Sequence, residues 1–287
     1  MLQKKVNYYD WLDEFIEDKQ ASGLSEYSLK SYYYAIDRYL KSVDTGVINK
    51  ASFNAFINSI TGAVESKKHY ARSVRAFVYW AIENKELEPF KISLPKGQEP
   101  ELKIPSTEDI EKLLVKPTSK SFSEYRNWVI VNLIVSTGLR CRSIINIKLT
   151  DIDLNNQTIA IRETKNKKIL VLPLTDELCK ILNKYIKKYE LGEYLFPTDG
   201  AQKLSVDGLK SSYKRYARKR LVEYTGLHAL RHYFATEATR NGMSAFTLQK
   251  VLGHSDISIT MKYVNLVSDD IKSELLRFNP LNKKGGR

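Results

Sequence analysis

The chain has 287 residues, 43% apolar and 28% charged, which suits two soluble cores and excludes bulk disorder. Of the formal net charge of +13, residues 98–287 carry +11 and residues 1–97 only +2; with 18 tyrosines, this balance points to a polyanion, nucleic acid first. Nothing approaches the ~20 apolar residues of a membrane span, and Trp128–Val135 is too short, so no membrane partner is expected. The start, MLQKKVNYYDWLDEF, lacks a secretory apolar core, so a cytoplasmic protein is expected, with Cys141 and Cys179 as free thiols without metal-type spacing.

The first part reads as all-helical. Tyr8, Leu12, Phe15 and Ile16 recur at helical spacing before Gly23. Ser25 precedes a second helix bearing Leu29, Tyr33, Ile36 and Leu40. Phe53, Phe56 and Ile57 mark a short third helix that Gly62 breaks. A fourth runs from about Val64 to Glu86, with Tyr70, Val74, Phe77, Val78 and Ala81 as its stripe. Then EPFKISLPKGQEPELKIP holds Pro89, Pro95, Pro100 and Pro105, half of the eight prolines, without helical pattern. The domains are therefore drawn as residues 1–92, a linker over 93–105, and a second domain over 106–287.

Ser106 or Thr107 caps the next helix, with Asp109 placed near its first amides. An apolar helix from Trp128 to Thr137 stops at Gly138. Thr158–Arg162 and Ile169–Leu174 read as two strands joined by the polar turn TKNKK. Helices follow over about Asp176–Tyr189, Val206–Arg220, Leu230–Arg240 and Ala245–Leu252, with Gly242 and Gly253 as C-caps. A last helix, about Ser268–Phe278, precedes Pro280 and KKGGR. The expected fold is mainly α with a small β-sheet in the second domain.

Two basic stripes stand out. Lys68, Arg72 and Arg75 share one face of the fourth helix, and Lys210, Lys214 and Arg218 share one face of a later helix beside Arg215, Lys219 and Arg220. Each is an ordinary solvated face taken singly. Two of them, one in each domain, suit phosphate neutralisation along a duplex.

Breaking a phosphodiester without metal needs arginines on the non-bridging oxygens, a nucleophile, and an acid for the leaving sugar oxygen. The second domain offers such a set in order: Arg140 in STGLR, Lys165 in the polar turn, His228 and Arg231 in HALR, His254 in LGH, and Tyr263 nine residues later. Each element alone is commonplace. The ordered set is specific.

With its STGLR, TKNKKILVLPL, HALRH, VLGH and following tyrosine, the sequence resembles the tyrosine recombinases, or phage-type integrases. The likeness covers roughly residues 105–278. The N-terminal part resembles, less specifically, the family's helical core-binding domain, and the length is similar to the two-domain Xer-type branch. The resemblance implies a mixed α/β catalytic domain in which Arg140 and Arg231 bind phosphate, and Lys165 is the hairpin lysine, eight residues before Pro173. Lys167 and Lys168 compete for that role. His228 matches the first histidine, His254 the second, and Tyr263 the nucleophile. One departure is Ser143, where the family usually carries an acid three positions after the first arginine; Asp151 is a nearby acid.

The resemblance further implies a 3′-phosphotyrosyl intermediate, resealed by a 5′-hydroxyl without ATP, metal or cofactor. Lys165 would be the acid, and His228 would hold the phosphate and assist proton loss from Tyr263. Double-stranded DNA would be gripped by both domains, in a homo-tetramer on two sites exchanging the C-terminal helix of Leu266, Val267, Ile271, Leu275, Leu276 and Phe278. The role would be integration or excision of a mobile element, or Xer-type dimer resolution, with a need for accessory proteins left open. Two other readings are a strand-passing relative with the same nucleophile and a non-catalytic DNA-binding regulator of the same fold.

Overall fold

Side-chain caps and apolar stripes set most of the elements. The computed structural model describes residues 7–43, 46–85, 87–97, 102–162, 169–223 and 226–267. The chain divides into two compact units, Met1–Pro100 and Glu101–Arg287.

The first unit holds α1 (Tyr8–Ala21), α2 (Glu26–Lys41), α3 (Lys50–Ser59) and α4 (Val64–Asn84). Asn7 and Ser25 accept first-turn amides, and Asn49 forms a reciprocal capping box with Ser52. Leu12, Phe15, Ile36, Tyr39, Phe53, Phe56, Val74 and Phe77 form the core. Tyr33, read as part of the apolar stripe of α2, is 45% exposed. The buried face is instead centred on Ala35–Ile36 and Tyr39–Leu40, and this turns Tyr33 outward. The stretch over 87–97 has no regular secondary structure, yet it is not loose: Ile92 is buried, and Leu87, Phe90 and Leu94 pack on the same core. The division between units thus falls inside the 93–105 stretch.

The second unit begins with α5 (Thr107–Leu114), for which Ser106 is the cap. Next comes α6 (Phe122–Thr137), starting six residues before the expected Trp128. Its N-terminal half reads as polar because Arg126 and Asn127 sit there, but both are buried. Arg126 donates to the Pro197 carbonyl and to Ser212 Oγ, and Asn127 Nδ2 donates to the same Oγ at 2.6 Å. With partners supplied, polar groups can enter the core. Helix α6 is buried almost all round, as a central helix should be.

A short α7 (Cys141–Asn146) follows, which the sequence pattern did not signal. Strands β1 (Ile152–Asp153), β2 (Thr158–Arg162) and β3 (Ile169–Pro173) form an antiparallel sheet in that order. Two of them match the expected pair; β1 is an addition of two residues. Ile159 and Ile161 alternate inward, with Ile159 opposite Leu172. The turn between β2 and β3, with Lys165, Lys167 and Lys168, lies outside the described residues.

The remaining helices are α8 (Asp176–Lys188), α9 (Val206–Lys219), α10 (Leu227–Arg240), α11 (Ala245–Leu252) and α12 (Ile257–Val267). Helix α10 starts three residues earlier than expected, so His228 is a helical residue. Helix α12, which carries Tyr263, was not foreseen. The helix expected over 268–278 lies outside the described residues. Both thiols are free. No helix among the described residues is long and apolar enough to cross a membrane.

Ser212→Ala should leave Asn127 and Arg126 short of a buried partner. We expect a loss of about 1–3 kcal/mol in denaturant unfolding, with an unchanged m-value.

Candidate active site

Two helix ends build the site. Helix α6 stops at Gly138, in the left-handed region with φ +65°. A Cβ there would lie 2.5 Å from Phe234 and 2.7 Å from Leu252, so both backbone and space demand glycine. Helix α11 stops in the same way at Gly253, φ +60°. The last carbonyls of a helix lack intrahelical donors and carry the negative end of its dipole. Here guanidinium groups meet them. Arg231 Nη1 donates to Gly138 O at 2.6 Å, and its Nη2 donates to Leu252 O at 2.8 Å. Arg140 Nη2 donates to Gly253 O at 3.1 Å. The two arginines therefore hold carbonyls one residue apart. Arg231 is only 2% exposed, and Arg140 is half-buried.

The histidines are ordered by these contacts. Arg231 Nη2 stands 2.8 Å from His254 Nε2. A guanidinium can only donate, so Nε2 must be bare and the His254 proton sits on Nδ1. That proton points at Thr260 Oγ1, 2.9 Å away and fully buried. Burial and then Arg231 and Arg140 pull the His254 pKa down to about 4, so the ring is neutral near pH 7.

On α10, His228, Arg231 and His232 lie at i, i+3 and i+4 on one face. His232 Nδ1 stands 2.8 Å from the Tyr263 hydroxyl, and the His228 ring meets His232 edge-on with centroids 4.5 Å apart. Burial first, then His228 and Arg231, bring the His232 pKa to about 4. His228 lies at the exposed rim, and its pKa is also lowered, by desolvation and then by Arg231 and Arg140.

Tyr263 lies one turn after Thr260 on α12 and is buried against Ala235, Ala238, Leu248 and Leu252. Burial raises its pKa, while the charges of Arg231 and Arg140 pull it back. The phenol thus lies within the field of both arginines.

The structure brings Arg140, His228, Arg231, His254 and Tyr263 into one site; Lys165 lies outside the described residues. Sequence reading missed His232, whose only signal was the second histidine of HALRH, one helical turn after the first. Asp151 does not replace the acid absent at Ser143. Its buried carboxylate accepts from Lys148 N at 2.9 Å and Arg162 Nε at 2.7 Å, at the base of the sheet.

Of the basic stripes, Lys68 is half-buried and paired with Glu65 at 2.6 Å, whereas Arg72 is exposed and Arg75 half-buried. On α9, Lys210, Lys214 and Arg218 are all exposed. Lys210 is near enough to Cys141, the neighbour of Arg140, for its charge to act on that thiol.

Residues 106–269 match the phage integrase family. The chain belongs to this family of tyrosine recombinases. Similar curated relatives include the tyrosine recombinase XerA of Saccharolobus solfataricus, 30% identical over 93% of this chain and 92% of the relative. XerD of Staphylococcus haemolyticus is 27% identical over 94% and 98%. Among solved structures, a lambda integrase tetramer bound to a Holliday junction matches with TM-score 0.74 at 17% identity, covering 91% of this chain and 78% of that one. Family membership accounts for the order in which the site's motifs occur along the chain.

His232 and His254, held near 4, lie below the ~6.5 of an unfolded histidine. On acidification the unfolded chain binds their protons first, so their stabilisation is complete above about pH 6.5 and is lost as pH falls toward 4. We expect a fall of about 2–4 kcal/mol in unfolding free energy across that window, allowing for partial solvent screening. His254→Gln should roughly halve it, leaving the His232 share, as read by denaturant midpoints against pH.

Proposed function

We propose that this protein is a site-specific DNA recombinase that cuts and rejoins strands through a 3′-phosphotyrosyl bond. Two arginines pinned on adjacent carbonyls, with a buried phenol in their field, carry the reading.

Arg140 and Arg231 would grip the non-bridging oxygens of the scissile phosphate. Their guanidiniums are preorganised by Gly138, Leu252 and Gly253, so little reorganisation is needed as charge develops. His254 presents neutral Nε2 to Arg231 and keeps that guanidinium turned toward the site. Tyr263 Oη attacks phosphorus, the bond to the 5′ oxygen breaks, and Lys165 protonates the leaving oxygen. A second 5′-hydroxyl then displaces Tyr263. The phosphotyrosyl bond preserves the phosphodiester energy, so resealing needs no nucleotide. Losing one arginine would cost about 3–4 kcal/mol of transition-state stabilisation.

Duplex DNA is the partner that fits this chemistry. Lys210, Lys214 and Arg218 would track its backbone on the second unit, and Arg72 and Arg75 on the first, with Lys68 contributing least because Glu65 already neutralises it. The XerA and XerD relatives match over nearly their full lengths, which supports an Xer-type role over a separate mobile-element integrase. We propose a tetramer on two DNA sites, with the C-terminal residues docking on a neighbour; the lambda integrase tetramer supports that assembly.

A nicked suicide duplex carrying the protein's own site should trap a covalent protein–DNA adduct, in EDTA and without ATP. Tyr263→Phe should abolish it; a surviving adduct would remove Tyr263 as nucleophile, and a regulator would give none at all. Lys214→Gln with Arg218→Gln should weaken duplex binding and reduce the slope of log affinity against log salt by roughly 2.

A further inference from the structure

The roles above leave His232 unused, and His228, to which the resemblance gives the tyrosine proton, lies at the exposed rim. His232 follows Arg231 directly, and its Nδ1 lies 2.8 Å from the Tyr263 hydroxyl. This is within the reach required of a general base. His228 meets the His232 ring and has no hydrogen bond to the phenol among the described residues. We propose that His232 is the general base of DNA cleavage, taking the Tyr263 hydroxyl proton on Nδ1 as Oη bonds to phosphorus. The proposal rests on the assignment of Tyr263 as nucleophile.

The protonation states agree with that geometry. For the phenol to donate, Nδ1 must be bare and the ring proton must sit on Nε2. The titratable and charged groups near His232 are His228 and Arg231 on its own helix, Tyr263 on α12, and His254 after α11. Burial first, and then His228 and Arg231, keep the ring neutral, with a pKa near 4, and therefore able to accept a proton.

At rest the transfer does not run. Burial holds Tyr263 above its ordinary value and His232 below its own, so the proton stays on the phenol. A phosphate seated on Arg140 and Arg231 changes this balance. Its negative charge offsets the two cations and favours an imidazolium beside it. Bond formation to phosphorus at the same time removes the basicity of the phenol oxygen. Substrate therefore completes the base, and the tyrosine stays protonated and buried until a phosphate arrives.

The step balances. The Tyr263 O–H bond breaks and its proton moves to His232 Nδ1; the Oη–P bond forms and the P–O5′ bond breaks. The 5′ oxygen takes a proton from a different group, Lys165 in the reading above. In rejoining, the 5′-hydroxyl attacks phosphorus and gives its proton to the now neutral Lys165, the Oη–P bond breaks, and the His232 imidazolium returns its proton to Tyr263.

The test uses single-turnover cleavage of the nicked suicide duplex by the full chain. His232→Asn keeps a hydrogen-bonding atom near the Nδ1 position but cannot accept the proton. It should bind duplex like the wild type and cleave about 10²–10³-fold more slowly. His232→Gly should recover at least about tenfold with added imidazole, the rescue following the unprotonated form. The wild-type rate should fall on the acid side as the base titrates, and this limb should vanish in His232→Asn. Cleavage by His232→Asn within about threefold of wild type, or a slow variant with an unchanged acid limb and no imidazole rescue, would overturn the proposal while leaving a Tyr263-dependent adduct intact. An adduct formed by Tyr263→Phe would remove the nucleophile and the proposal together.

Discussion

The site depends on a buried cation, the Arg231 guanidinium, held by the carbonyls of Gly138 and Leu252 and by His254 Nε2. A charge this deeply buried is tolerable only when paired or richly hydrogen-bonded. Here the partners are the dangling carbonyls of two helices, which themselves lack donors. Each side meets the other's need, and the helix dipoles add their negative ends. Because Gly138 and Leu252 lie on different helices, the same guanidinium ties the ends of α6 and α11 together. Arg140 extends the clamp by one carbonyl to Gly253.

Burial first, and then that concentration of positive charge, sets the protonation of the neighbouring groups. His232 and His254 are pushed to about 4. Tyr263 feels opposing influences: burial holds its proton on, and the arginines ease it off. The free protein is thus poised with neutral histidines and a protonated phenol, an arrangement short of one negative charge. In the proposed reaction the scissile phosphate supplies it. Affinity for substrate and activation of the nucleophile then share one origin, which suits an enzyme that must not expose a reactive tyrosine off its target.

Legibility in the sequence followed how local each signal was. Ser106 and the glycine stops at Gly138 and Gly253 could be read directly, because caps and left-handed turns are decided within a few residues. The alternation of Ile159 and Ile161 was equally plain. Tyr33 was misread because a tyrosine on an amphipathic helix suits either face, and the small Ala35 decided which face packed. The start of α6 was hidden by Arg126 and Asn127, whose partners, Pro197 and Ser212, lie 71 and 85 residues away. Helix α12 was hidden because the residues it buries, Thr260 and Tyr263, do not read as an apolar stripe. His232 was overlooked because a histidine beside an arginine means nothing until a phenol from another helix reaches it.

By itself the sequence determined the order of motifs, the family they resemble, the helical character of the first unit and the excess of positive charge. It also named five of the residues that meet in the site. Only the tertiary structure decided that Arg231 and Arg140 hold neighbouring carbonyls, that the His254 proton lies on Nδ1, that Asp151 is committed to Arg162, and that His232 faces Tyr263. The reason is physical. Caps, turns and periodicity are settled by neighbours along the chain, whereas a charge's partners and a proton's position are settled by whichever groups packing brings within 3 Å, and packing draws them from helices far apart in the sequence.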